Sequence, residues 1–259
     1  MRVVTSKPAK QIRADSAERR MRVDLAAAHR LAHLHGFSEG IFNHLTCAVP
    51  GKRDRYLQIP FGLHWSEITA SCFLEVSYEG KVLSGEGEAE LSAICIHAPI
   101  HRLIPSAVCV MHTHMPFTSA LSRLEDPRIL PIGQTECGLM KDVAYDDTYT
   151  GPAFDMGEGE RLARVLGDRS VMIMANHGVL TVGESVAEAY DRLYYMERVA
   201  QVQLYAMWTG QRLKPLPQDV VDKTMKTIGG PQYGGKPHWE HHFAALKRLL
   251  DRREPDYRD

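Results

Sequence analysis

Ala107-Val108-Cys109-Val110-Met111-His112-Thr113-His114-Met115 decides how the chain is read. Its first part is a continuous apolar run, the pattern of a buried strand, and the run ends in His-Thr-His. On an extended segment, residues two apart share a face, so His112 and His114 point the same way. Two imidazoles aimed at one point supply most of an open metal site. A third candidate is His177, in Asn176-His177-Gly178. It follows the apolar run Val171–Met174, so it too stands at the end of a predicted buried strand. The competing reading is that each histidine is a hydrogen-bonded strand-end residue. His33-Leu34-His35 repeats the spacing within a helical pattern, where residues two apart face away from each other, and it reads as surface or cap chemistry.

Working outward, the pattern predicts alternating helices and strands. Ser16 caps a helix whose apolar stripe is Met21, Leu25, Ala28 and Ala32, ended by Gly36. Leu45, Cys47 and Val49 alternate as a strand, and Tyr56–Ile59 forms a second. Pro60-Phe61-Gly62 is a tight loop, and a short helix is expected around Glu67–Phe73. Glu79-Gly80 reads as a hairpin turn between Phe73–Tyr78 and Lys81–Leu83. Ala89–Ile104 is helical and carries His97 and His101. Pro116 suits the first turn of a short helix running to about Leu124. Residues 125–156 are rich in turn formers, with short strands expected near Ile129–Ile132 and Val143–Tyr145. Glu158–Leu166 is helical, Val171–Met174 and Val179–Val182 are strands, and Ser185 caps a long helix to about Trp208. The Pro- and Gly-rich stretch 211–237 reads as an extended connection without its own core, before a last helix from His238 to Arg252. Three parts follow: a tail over 1–14, a domain over 15–210, and a C-terminal extension over 211–259 packed on the domain or on a neighbouring subunit. Hairpin-joined strands imply one α/β domain with a largely antiparallel or mixed sheet.

Composition narrows the function. A chain of 259 residues that is 44% apolar can fill a substantial core. A net charge of −1, with acids and bases balanced along the sequence, gives no reason to expect nucleic acid or a membrane surface as partner. No apolar run approaches membrane-spanning length, and the polar, charged opening is unlike a secretory leader. The five cysteines, Cys47, Cys72, Cys95, Cys109 and Cys137, are odd in number and form no Cys-x-x-Cys. They read as reduced core residues of a cytoplasmic protein rather than as disulfides or a zinc knot.

Asn43 with Leu45-Thr46, Pro60-Phe61-Gly62, Ile96-His97 with His101, His112-Thr113-His114, Asn176-His177-Gly178 and the Ser185 helix follow one another at the spacing of the class II aldolase/adducin family. The resemblance covers roughly residues 20–210. It implies a three-layer α/β/α domain around a mostly antiparallel central sheet. It also implies a homotetramer with active sites at subunit interfaces and a small-molecule substrate. By the same resemblance His112, His114 and His177 are the metal ligands. Zn2+ is the family default, and Fe2+, Mn2+ or Co2+ suit the same donors. Three neutral imidazoles leave coordination positions open for substrate.

The departures from the family pattern are informative. The sugar-phosphate aldolases carry an acid/base Glu where this chain has Ala93, in Leu91-Ser92-Ala93. Glu90, one turn away, is the candidate replacement; its ordinary role is a first-turn carboxylate favoured by the helix dipole. The phosphate loop's Thr-Gly is Phe61-Gly62 here, while Asn43 and Ser92 remain. Fewer donors and an added aromatic suit a carboxylate or an apolar group better than a phosphate dianion. Retro-aldol cleavage needs a base for the substrate hydroxyl. Decarboxylation beside a metal-held carbonyl does not. The expected function is therefore a metal-dependent carbon–carbon lyase, of aldolase or decarboxylase type, acting on a small oxo- or hydroxy-acid through a metal-bound enolate or enediolate. The alternatives are an Fe(II)-dependent oxygenase on the same scaffold and a non-catalytic, adducin-like binding module. Tyr149, near where the aldolases carry a tyrosine serving a neighbouring subunit, is the candidate proton donor, with Tyr145 as its competitor. Asn43, Gly62, Ser92 and His97 are the candidate substrate-binding residues. His44, Gln134 and Glu136 are weaker candidates, and Tyr233, His238, His241 and His242 are placed in a C-terminal lid or a packed tail.

Overall fold

The computed structural model describes residues 16–228 and 235–259. The strands are β1 (His44–Ala48), β2 (Arg55–Gln58), β3 (Leu74–Ser77), β4 (Val82–Ser84), β5 (Cys109–Thr113), β6 (Val143–Asp146), β7 (Val171–Met174) and β8 (Val179–Gly183). They form one eight-stranded sheet in the order β4-β3-β2-β1-β5-β8-β7-β6. Every adjacent pair is antiparallel except β6 with β7, so the sheet is mixed and mostly antiparallel.

The helices are α1 (Ala17–Leu34), α2 (Leu91–Leu103), α3 (Pro116–Leu121), α4 (Gln134–Leu139), α5 (Met156–Leu166), α6 (Val186–Trp208), α7 (Gln218–Ile228) and α8 (His238–Arg253). Strand alternation sorts the side chains of β5 between two helical layers. Cys109 and Met111 pack with Leu25 and Leu31 of α1 and Leu193 and Met196 of α6. Val110 faces the other way, with Ile96 and Ile100 of α2 and Leu162 of α5. The result is three layers, α/β/α, and the histidine-bearing strand lies inside them. Ser16 and Ser185 accept backbone N–H groups at the first turns of α1 and α6, and Asp155 does the same for α5.

Several local expectations fail for identifiable reasons. No helix forms over Glu67–Phe73; a 3-10 turn at Trp65–Glu67 gives way to irregular chain. The backbone there is claimed from far away. The Arg30 guanidinium donates to Ile68 O, while the N–H groups of Ala70 and Ser71 donate to the carbonyls of Tyr257 and Asp259. No strand forms at Ile129–Ile132, because side chains satisfy its backbone. Ile129 N–H donates to the Tyr145 hydroxyl, and Gln203 brackets Leu130 N–H and Arg128 O. Stretch 211–237 is not simply extended: it holds α7, which buries Val221 and packs on α4. The cysteines also differ from expectation. Cys47 and Cys109 face each other in the β1–β5 register and are joined as a disulfide, while Cys72, Cys95 and Cys137 are free. The expected tail over 1–14 and Tyr233 lie outside the described residues.

Candidate metal centre

β5 pairs with β8 so that Thr113 lies opposite Val179, which brings His112 Nδ1 to 3.0 Å from Val179 O. A carbonyl only accepts, so Nδ1 carries the proton and Nε2 presents its lone pair. His114 follows the end of the strand. Its Nδ1 is 2.5 Å from Glu39 Oε2, and its backbone N–H donates to Asn43 Oδ1 at 2.9 Å. The same logic leaves the Nε2 of His114 free to bind. The two Nε2 atoms are 3.1 Å apart.

His177 arrives on the turn between β7 and β8. That turn is tight: Asn176 has φ +55°, and a Cβ on Gly178 would stand 2.5 Å from Thr113 O and 2.8 Å from the His114 ring. Only glycine lets the turn close onto β5. The His177 ring centroid then lies 4.8 Å from each of the other two. Among the described residues this is the group of three whose ligand atoms fall within 4.8 Å of one another. Nitrogens at two corners of a tetrahedron around a zinc-sized ion stand roughly 3.3 Å apart, so the donor set fits a divalent metal after small ring rotations. Burial pushes His112 well below its ordinary range, with His177 and His114 adding to the effect. Burial also brings His177 down to about 4. Neutral imidazole is the form that ligates.

A second layer of histidines lies behind the three. His44 is the β1 partner of His112, with ring centroids 6.2 Å apart. Its Nε2 comes within 2.9 Å of Glu90 Oε2, although off the line of a hydrogen bond, and its Nδ1 has no partner. His97 is fully buried, 5.5 Å from the His44 ring, and shares Thr46 Oγ1 with His101 at 2.7 and 2.8 Å. Glu90 caps α2, accepting from Ala93 N–H and Ser92 Oγ at 2.7 Å each. Burial acts to raise its pKa, but His44, Ser92 and the Ala93 N–H together outweigh it and hold the carboxyl down at about 2. Glu90 is thus a weak base whose Oε2 meets Ser92, the Ala93 N–H and His44, and Ala93 is fully buried.

At the mouth, Tyr149 is half-exposed with its ring centroid 6.1 Å from that of His177. Arg161 steadies this loop, gripping Asp146 through two bonds of 2.7 and 2.6 Å and reaching Thr148 O. The Tyr145 hydroxyl is instead engaged by Ile129 N–H, under the Arg128 guanidinium. Gly62 has φ +97°, and beside it Phe61 packs on Phe42, both rings about half-exposed. Other candidates lie elsewhere. Glu136 lines a separate cavity against α6. His238 and His242 hold the buried Asp191 at 3.0 and 2.7 Å. Two contributors were not singled out from sequence. Glu39 sits in a short loop with no pattern to mark it. Glu197 accepts from Phe117 N–H, Thr118 N–H and the Thr118 hydroxyl, fixing α3 directly after the histidine strand. Its signal was available: a carboxylate next to Met196 on the apolar stripe of a long helix.

Residues 23–204 match the class II aldolase and adducin N-terminal domain model. The chain belongs to this family. A Pseudomonas aeruginosa protein whose name places it with the class 2 aldolases is 34% identical over 265 residues, covering 100% of both chains. The crystal structure of an aldolase II superfamily protein from Pseudomonas syringae superposes with a TM-score of 0.88 at 36% identity, covering 95% of this chain and 98% of that one. L-fuculose 1-phosphate aldolase from Glaciozyma antarctica gives 0.81 at 26% identity, covering 98% and 97%.

Proposed function

We propose that this chain is a metal-dependent carbon–carbon lyase acting on a small oxo- or hydroxy-acid, with decarboxylation favoured over retro-aldol cleavage. One observation carries the reading. Three imidazoles converge with their free nitrogens together, and the carboxylate in the neighbouring layer, Glu90, is engaged and weakly basic. The likeness to an L-fuculose 1-phosphate aldolase supports the lyase class.

When bound by His112, His114 and His177, a divalent ion, Zn2+ by family default, supplies Lewis-acid polarisation of a substrate carbonyl. The chain does the rest. Val179 O and Glu39 engage Nδ1 and so leave Nε2 of His112 and His114 as the nitrogen that would hold the ion, and Asn43 fixes the backbone beneath His114. Phe61 and Phe42 pack together beside Gly62, and their half-exposed rings suit a substrate without a phosphate on that side. Ser92 is tied to Glu90, and Glu90 acts through His44 rather than on the substrate. His97 supports His44 from the buried layer. Tyr149, whose ring lies beside that of His177, is the phenol assigned to return a proton to carbon once the bond has broken. The working assembly is a homotetramer with the sites between subunits.

Elemental analysis of untagged protein, with His114→Ala as control, tests the first half. Near-stoichiometric zinc or manganese, lost in the variant, supports the proposal. A screen of 2-oxo and 3-hydroxy acids for CO2 or aldehyde release then tests the second. Iron together with substrate-dependent O2 uptake would replace it with an oxygenase. No metal, even after reconstitution, would leave an adducin-like binding module.

A further inference from the structure

α6 borders a second cavity, built from residues that take no part in the histidine site. It is a groove of about 640 Å³ between the middle of α6, the turn opening α4 and the segment 211–214. That volume falls within the range of small-molecule sites. Three kinds of side chain meet there. Glu136 is a residue only 4% exposed, whose carboxylate lies against Gly133 at the opening of α4 and makes no hydrogen bond or ion pair among the described residues. As a lining residue of the groove, it offers an acceptor to the donors of an occupant. Tyr194 and Tyr195 form an aromatic wall, with ring centroids 5.3 Å apart and planes at 86°. Arg198, Arg212 and Lys214 line the rim. Arg212 and Lys214 have no acidic partner among the described residues, and Arg198 donates only to Gln201.

A simple anion would meet the rim and be repelled by Glu136. A purely apolar ligand would leave Glu136 and the cations unmatched. A nucleotide answers all three: phosphate for the guanidinium and ammonium groups, a ring for the tyrosines and valines, and sugar hydroxyls or base N–H groups for Glu136. We propose that this groove is a nucleotide-binding site distinct from the histidine centre.

The test is calorimetric titration of the whole chain with AMP, ribose 5-phosphate and inorganic phosphate. One saturable AMP site per chain is expected. Ribose 5-phosphate should bind about tenfold more weakly for lack of the stacking ring, and phosphate more weakly still. The double variant Arg212→Ala/Lys214→Ala, at two exposed positions, should weaken AMP by roughly tenfold or more and flatten the salt dependence. His114→Ala should bind AMP unchanged, which separates this site from the metal centre. Absence of saturable AMP binding overturns the proposal. So does phosphate binding as tightly as AMP, or a double variant that binds AMP like the parent.

Discussion

Asn43 Oδ1 accepts the backbone N–H of His114 at 2.9 Å, and Asn43 does so from a left-handed backbone with φ +72°. Two demands thus fall on one residue: a conformation most side chains resist, and a short amide that reaches β5. Asn tolerates the first and supplies the second. Asn43→Ala should fail both and lower stability by about 2–3 kcal/mol, from backbone strain and a buried donor left unmatched. Asn43→Gly should recover roughly 1 kcal/mol of that, because only the strain is relieved. Denaturant midpoints of the two variants check the difference, and glycine no better than alanine would mean that strain plays no part.

Glu39 holds His114 from the opposite side of the ring, through Nδ1. The carboxylate is exposed, so its removal should spare the fold. Glu39→Ala should lower zinc affinity about 10- to 100-fold, because the ring loses its fixed tautomer and orientation. Competition against a chromogenic chelator reads this directly. An unchanged affinity would show that packing alone orients His114.

Tyr149 is the phenol beside His177 at the mouth. Tyr149→Phe keeps the ring and removes the proton. Turnover of the substrate found in the acid screen should fall by roughly 10²- to 10⁴-fold with metal content intact. Unchanged turnover would remove Tyr149 from the mechanism and turn attention to a residue from a neighbouring subunit.

The parts legible in the sequence were those governed by local periodicity. His112 and His114 share a face because a strand repeats every two residues, and β5 was marked by its own apolar run. The long helix from Ser185 was marked by its cap and stripe. What escaped depended on chain brought from a distance. The helical pattern at Glu67–Phe73 loses to Tyr257 and Asp259, almost two hundred residues away, which take the N–H groups of Ala70 and Ser71. The Cys47–Cys109 pair exists only through the β1–β5 register, which no local pattern specifies. The apolar run ahead of it marked His177 as a strand-end candidate, and family resemblance joined it to the other two: nothing local to Asn176-His177-Gly178 says that its turn closes onto Thr113.

Buried histidines away from the metal site make stability depend on pH, with a definite sign. Burial pulls His29 down to about 4 against its helical bond to Leu25 O, and pulls His101 down to about 4 against its bond to Ala107 O. The unfolded chain protonates these rings near 6.5, whereas the folded chain refuses the proton until about 4. Between those values the unfolded state binds more protons, so stability falls as pH drops from about 6.5 to 4. His29 is the cleaner probe. It packs edge-on against Trp65 at 5.1 Å, and its Nε2 has no partner to lose. His29→Phe keeps an aromatic ring there and removes the titration. The parent should lose more stability than the variant between pH 7.5 and 5, by about 1–2 kcal/mol from this one site. Urea midpoints at the two pH values measure it. Equal losses would place the acid sensitivity elsewhere, in His101 or in the carboxylates that titrate lower.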